Sequence, residues 1–145
     1  MELNALLDVV DRILDNAHTA VMSTTDGDGH PYSRWMTPTT LRGQVGALYA
    51  VTAPEARKTE HIRENERVSW LIQSKSLDEI VEVHGKATII DNPTLKSDVL
   101  EAIGPHLTTF WKINADEADL VVIETAIERV DYFKPVKGEH ESAVV

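Results

Sequence analysis

The chain contains no cysteine. That excludes a disulfide framework, thiol nucleophiles and thiolate-bound zinc, and it fits a reducing compartment, so a cytoplasmic location is the expectation. Aromatic residues make up only 6% of the chain, so Trp35, Trp70 and Trp111 should each have a reason for their place. No apolar run approaches the roughly 20 residues that a membrane span requires. The opening MELNALLDVVDRILDN has neither the basic start nor the unbroken apolar centre of a signal peptide. Positive charge is also in deficit: 14 Lys and Arg stand against 24 Asp and Glu, a formal net charge of −10. That balance argues against a nucleic-acid partner.

What is present describes one soluble globular domain. The chain has 145 residues, 42% of them hydrophobic and 26% charged. The distribution of charge says more than its total. From Arg34 to Arg67 there are six basic residues (Arg34, Arg42, Arg57, Lys58, Arg63, Arg67) and four acidic ones (Glu55, Glu60, Glu64, Glu66), a net of +2 that leaves −12 for the rest. A locally cationic segment in an acidic chain points to a small anionic ligand. Clustering on a solvated face is the alternative.

Leu3, Leu6, Leu7, Val10, Ile13 and Leu14 recur at helical spacing, which predicts an amphipathic helix over residues 2–15. HTAVMSTTDGDGHPYSRWMTPTT reads as strand, turn, strand, with DGDG at the turn. A calcium loop starting at Asp26 would need a glutamate at its twelfth position, where Thr37 stands, so calcium is rejected. Strands are expected at 45–51, 67–73, 80–90, with a bulge at Gly85, and 119–133. Asn92 and Pro93 open a further helix that closes on Gly104. Residues 135–145 are polar and aperiodic and are expected to be a disordered tail. Strands that follow one another without crossover helices favour antiparallel pairing, so the fold class is α+β with a barrel.

No nucleophile elbow, P-loop or dinucleotide fingerprint occurs. The six histidines are scattered, and no metal centre is expected. Any chemistry is therefore expected to come from a bound cofactor.

One stretch breaks a local rule. In TAPEARKTEHIRENERV, Thr52 and Glu55 are spaced as a helix N-cap and its N3 partner, and Pro54 fits the first turn. Arg57 and Lys58 then place two cations at the positive end of the helix dipole. The arrangement makes sense if an anion, most commonly phosphate, sits there. Arg34 can join from a neighbouring strand, because YSRWM puts Tyr32, Arg34 and Met36 on one face.

These stretches resemble the flavin-binding split barrels related to pyridoxamine 5′-phosphate oxidase, in particular the small general-stress-protein group. The resemblance runs from about Asn16 to Phe133. It is carried by DGDGHPYSRWM, LYAVTAPEARKTEHIRENERVSWLI, VEVHGKATIIDN and DEADLVVIETAIERVDYF in that order. It implies a six-stranded antiparallel split β-barrel spanning residues 1–134, a homodimer, and FMN in each of two clefts at the interface. By position, Arg57 and Lys58 would hold the 5′-phosphate with Thr52. Arg34, Trp35 and Met36 would lie along the flavin, partly through backbone atoms, and Val51 would line the pocket. Trp111, or the pair Tyr132 and Phe133, would cover the ring from the partner subunit.

The sequence also departs from the pattern. It ends in GEHESAVV, without the Arg-Leu-x-Pro-like segment of the pyridoxamine phosphate oxidases proper, so vitamin B6 oxidation is not expected. Trp35 stands where a small residue or proline is usual, and Ala56 where a serine often precedes the Arg-Lys pair. The expected function is an FMN-dependent oxidoreductase with a small-molecule redox partner. The alternatives are a non-catalytic flavin-binding stress or sensor protein, or the same barrel binding the deazaflavin F420 or haem. Arg57 and Lys58 as a solvated face, Arg34 in a structural ion pair, and Trp35 and Trp70 as plain core also remain open.

Overall fold

Strands in this chain alternate apolar and polar residues, and an alternating strand needs a sheet with one buried face. The computed structural model, which describes residues 1–104 and 119–145, shows how that need is met. In chain order the elements are α1 (Leu3–Ala17), β1 (Ala20–Thr25), β2 (Pro31–Met36), β3 (Ala47–Thr52) and α2 (Arg57–Glu64). They continue with β4 (Arg67–Gln73), β5 (Ile80–Ile90), α3 (Pro93–Ile103), β6 (Val121–Lys134) and β7 (Glu139–Val144).

The strands form one antiparallel sheet in the order β2-β1-β4-β5-β6-β3, with β7 added beside β6. The two ends of that order meet. Just beyond β2, Thr39 forms a bridge with Tyr49 of β3 through bonds of 2.7 and 2.8 Å. Those six strands therefore curl into the expected α+β barrel with flanking helices, and among the described residues β7 extends the sheet as a seventh strand beside β6. The bulge falls where the glycine is: the β5–β6 register shifts between His84 and Gly85.

The amphipathic stripe of α1 buries Leu6, Val9, Val10, Ile13 and Leu14 in the same apolar cluster as Met22, Leu48, Trp70, Ile72 and Val83 of the barrel. Trp70 is fully buried and its Nε1 donates to Thr125 Oγ1 at 3.0 Å, so it is core, and its one polar atom is satisfied. A second cluster lies on the other face of β3. There Tyr49, Val51 and Val122 meet Val99, Leu100 and Ile103 of α3. That helix is capped as its sequence suggests, with Leu95 N donating to Asn92 Oδ1 at 3.0 Å.

Two expectations change. Residues 135–145 are not a disordered tail. Pro135–Lys137 make a 3-10 turn, Gly138 takes a left-handed conformation at φ 63°, and β7 pairs along β6 from Lys134↔Glu139 to Arg129↔Val144. Helix α2 also starts later than its capping-box spacing implied. Thr52 is held extended by its pairing with Val121, and a residue before proline, here Ala53, is disfavoured in helical conformation. The chain must therefore turn through 53–56 before α2 begins. Among the described residues no helix is long and apolar enough to cross a membrane.

Candidate functional site

Two elements, β2 and α2, bring their basic residues together at the end of a third, β3. Strand β2 puts Tyr32, Arg34 and Met36 on one face by simple alternation, with Met36 reaching the barrel core. Arg34 lies opposite Met22, and its Nη1 donates to the Met22 carbonyl at 3.1 Å. Strand β3 ends at Thr52, which by alternation continues the barrel face of Leu48 and Ala50 and is itself buried. The turn after it is fixed by Ala56 N donating to Ala53 O at 3.3 Å and by Thr59 Oγ1 donating to the same carbonyl at 3.1 Å.

That turn delivers α2 with Ala56 at its N-cap and Arg57 and Lys58 as its first two residues. Alanine offers no side-chain acceptor, so the cap makes no side-chain hydrogen bond. The backbone N–H groups of Arg57 and Lys58 meet no acceptor among the described residues. Lys58 folds back over the turn, and its Nζ donates to Thr52 Oγ1 at 3.0 Å. A threonine hydroxyl that accepts one bond keeps its own hydrogen to donate elsewhere.

The electrostatics of the cluster are unrelieved. Burial lowers the pKa of Arg34 from its ordinary value, and the nearby charge of Arg57 adds to the effect. Burial likewise lowers that of Lys58, with Arg34 as the second cause. Elsewhere Arg12, Arg67, Lys86, Arg129 and Lys134 each lie within ion-pair distance of a carboxylate. None of the ion pairs among the described residues includes Arg34, Arg57 or Lys58, which removes the structural ion pair as an account of Arg34. Two N–H groups without an acceptor and three cations without a carboxylate partner among the described residues, together with a hydroxyl, can receive an oxyanion with charge-assisted hydrogen bonds. By contrast, a cavity of about 630 Å³ between α1 and residues 40–47 presents Asp8, Asp11 and Asp15 against Arg42 alone, the wrong sign for an anion.

A profile of the family described as pyridoxamine 5′-phosphate oxidase matches residues 6–134. The chain belongs to that family. Solved structures agree on the fold. General stress protein 26 from Bacillus anthracis str. Sterne is similar at 23% identity and a TM-score of 0.71, over 99% of this chain and 98% of its own. A pyridoxamine 5′-phosphate oxidase-related, FMN-binding protein from Nostoc punctiforme PCC 73102 is similar at 13% identity and a TM-score of 0.69, over 95% of each chain. A haem-binding protein from Mycobacterium smegmatis is similar at 19% identity and a TM-score of 0.75, over 97% of this chain and 57% of its own. No curated protein matches. The pyridoxamine 5′-phosphate oxidase family thus provides a fold on which neighbours carry FMN in one case and haem in another.

Within this fold the remaining candidate residues fall in different places. Trp35 points to the other face of β2 from Arg34 and is 82% exposed, so it is not core. Val51 is next to Thr52 in sequence, but its side chain belongs to the α3 cluster. Tyr132 is buried in the barrel core, and Phe133 stacks on His140 with ring centroids 4.5 Å apart. Trp111 lies outside the described residues.

Sequence reasoning did not single out His61. It is buried, its Nδ1 shares a 2.8 Å hydrogen bond with Thr24 Oγ1, and its ring meets Tyr32 at 4.9 Å. The only signal was its position four residues after Arg57, which puts both on one face of α2.

Proposed function

We propose that this chain binds FMN, with the 5′-phosphate held by Arg57, Lys58 and Arg34 together with the Thr52 hydroxyl and the free N–H groups at the start of α2. The observation that carries this reading is that three cations lie close enough to disfavour one another's charge, with no carboxylate partner among the described residues, in a chain of net charge −10. A phosphate monoester carries up to two negative charges and three acceptor oxygens, which matches the donors on offer. Once bound, FMN supplies the redox chemistry, accepting and releasing electrons, so the family's activity here is read as that of an oxidoreductase with a small-molecule redox partner. The protein's part is to bind the phosphate, orient the ring and exclude water. The described residues around the cations include no paired acid and base, and none is assigned a proton transfer.

A homodimer completes the proposal. Trp35 stands in register with Val21, and Val21 with Leu71, so the outer face of β2, β1 and β4 carries a contiguous apolar row. An exposed tryptophan in such a row is the kind of surface a second copy covers.

The deciding experiment combines a spectrum with a pair of titrations. The purified protein, supplied with FMN, should show flavin absorbance and bind FMN more tightly than riboflavin, which lacks the phosphate. Anaerobic addition of NADPH or NADH should then bleach the flavin bands. A Soret band, a deazaflavin band, or equal affinity for FMN and riboflavin would overturn the assignment. Bound FMN that no nicotinamide or other donor reduces would leave a flavin-binding protein without turnover.

A further inference from the structure

Arg57 is the most exposed of the three cations, and a long side chain at a helix end has no reason of its own to stay over a binding site. It also faces repulsion from Arg34, the residue two positions along β2 from Tyr32. Yet the Arg57 guanidinium carbon lies 5.3 Å from the centroid of the Tyr32 ring. The negative face of an aromatic ring attracts a cation at that distance.

Tyr32 is itself seated. It stands opposite Thr24 in the β1–β2 pairing, and its ring rests on His61 at 4.9 Å with the planes tilted by 40°. His61 is anchored by its 2.8 Å hydrogen bond to Thr24 Oγ1, and both residues are buried. A stack therefore runs from the barrel interior outward: Thr24, His61, Tyr32, Arg57. Strand and helix each supply two of its members, so the stack also fixes α2 against the β1–β2 hairpin.

We infer that Tyr32 is a positioning residue for phosphate recognition: its ring, seated on His61, holds the Arg57 guanidinium at the start of α2 against the repulsion of Arg34. The inference rests on the FMN-phosphate reading above and assigns a role to a side chain outside the cation cluster. Tyr32 touches no phosphate in this account. It acts by reducing the orientational freedom that Arg57 would otherwise lose on binding.

The test titrates FMN and riboflavin into the full chain and into Tyr32→Leu and Tyr32→Phe. Tyr32→Leu should weaken FMN binding about two- to fivefold, the range that corresponds to about 0.5–1 kcal/mol for an exposed cation–π contact. Riboflavin binding should not change, and Tyr32→Phe, which keeps the ring, should bind FMN as the parent does. In an Arg57→Ala background the leucine substitution should have no further effect. Should Tyr32→Leu fail to fold, Tyr32→Thr, with its strand-favouring side chain, serves the same comparison.

Undiminished FMN affinity in the leucine variant, equal losses for both ligands, or a loss that persists without Arg57 would each overturn the positioning role. The phosphate reading fails on a different result, equal affinity of the parent chain for FMN and riboflavin. The two failures are thus distinguishable.

Discussion

Lys58→Met separates a lysine that serves a ligand from one that serves the fold. Methionine keeps most of the aliphatic stem beside Thr52 and removes the charge. In the ligand-free protein opposing effects nearly cancel. Losing the hydrogen bond to Thr52 costs about 0.5–1.5 kcal/mol. Removing a cation from the positive end of α2 returns about 0.3–1 kcal/mol. Burial and Arg34 both disfavour the charged lysine, so its removal acts in the same stabilising direction. The net change in apo stability should lie within about 1 kcal/mol.

With FMN present the balance shifts. One charge-assisted hydrogen bond to the phosphate is lost, about 1.5–3 kcal/mol, or roughly ten- to a hundredfold in Kd. Riboflavin binding should be unaffected. Urea melts of the apo proteins and fluorescence titrations with both ligands read these quantities.

A pH series adds a signed check. The folded-state pKa of Lys58 lies below its ordinary value of 10.5. Its charge therefore destabilises the fold at lower pH. Apo stability should gain from this group as pH rises through the folded pKa towards 10.5, and the methionine variant should lack that gain. Apo destabilisation beyond about 2 kcal/mol, or equal losses for FMN and riboflavin, would refute the reasoning.

Gly85→Ala should destabilise the barrel by about 1–3 kcal/mol in a urea melt, because its Cβ would run into the carbonyl of Ala126 and the Thr125 methyl at the bulge; an unchanged midpoint would mean that β5 and β6 do not approach so closely. Asp131→Asn should flatten the acid limb of the stability curve. Arg129 first, and then His140, hold the Asp131 carboxyl below its ordinary pKa of 3.8 against the opposing effect of burial. Its contribution is thus present above that value and is lost as pH falls through the folded one, and identical acid limbs for the two proteins would remove Asp131 from the account. Trp35→Ser should shift the molecular mass from dimer towards monomer in light scattering at micromolar concentration; a parent that is monomeric with FMN bound would sink the dimer.

The parts of the fold that were legible are those in which one local signal coincides with what packing needs. The Leu6, Val10, Ile13 stripe is at once a helix pattern and the barrel's missing cover. DGDG both favours a turn and spaces β1 from β2, and Asp26 Oδ1 accepts from the N–H groups of Asp28 and His30. Asn92 is both a preferred cap residue and the acceptor for the Leu95 N–H, directly before the proline that opens α3. Strand β7 was not legible because it has almost no inside. Five of its six residues are exposed, so alternation leaves no hydropathy trace, and the strand is held by main-chain pairing to β6 and by the left-handed turn at Gly138. The start of α2 was misread because Thr52 and Glu55 fit a capping box, a local preference that the pairing of Thr52 with Val121 overrides.

The cation cluster was legible for the opposite reason, as a conflict and not as an agreement. Arg57 and Lys58 crowd a positive helix end, and the structure sharpens the conflict instead of resolving it. Among the described residues, the cap is an alanine with no acceptor, two backbone N–H groups are left open, and Arg34 is brought in with no carboxylate to neutralise it. Each of these choices is unfavourable in the empty protein, and the phosphate proposed above would relieve all of them at the start of α2. Local conflicts that one ligand would relieve together support that proposal more firmly than any single motif does. Tyr32 was placed on the face of Arg34 but given no role, and His61 was not singled out, because they violate nothing. A strand tyrosine and a helix histidine look ordinary until the β1–β2 hairpin and α2 bring their rings together, and that contact is non-local. Their assignment therefore depends on the fold, whereas that of Arg57 and Lys58 did not.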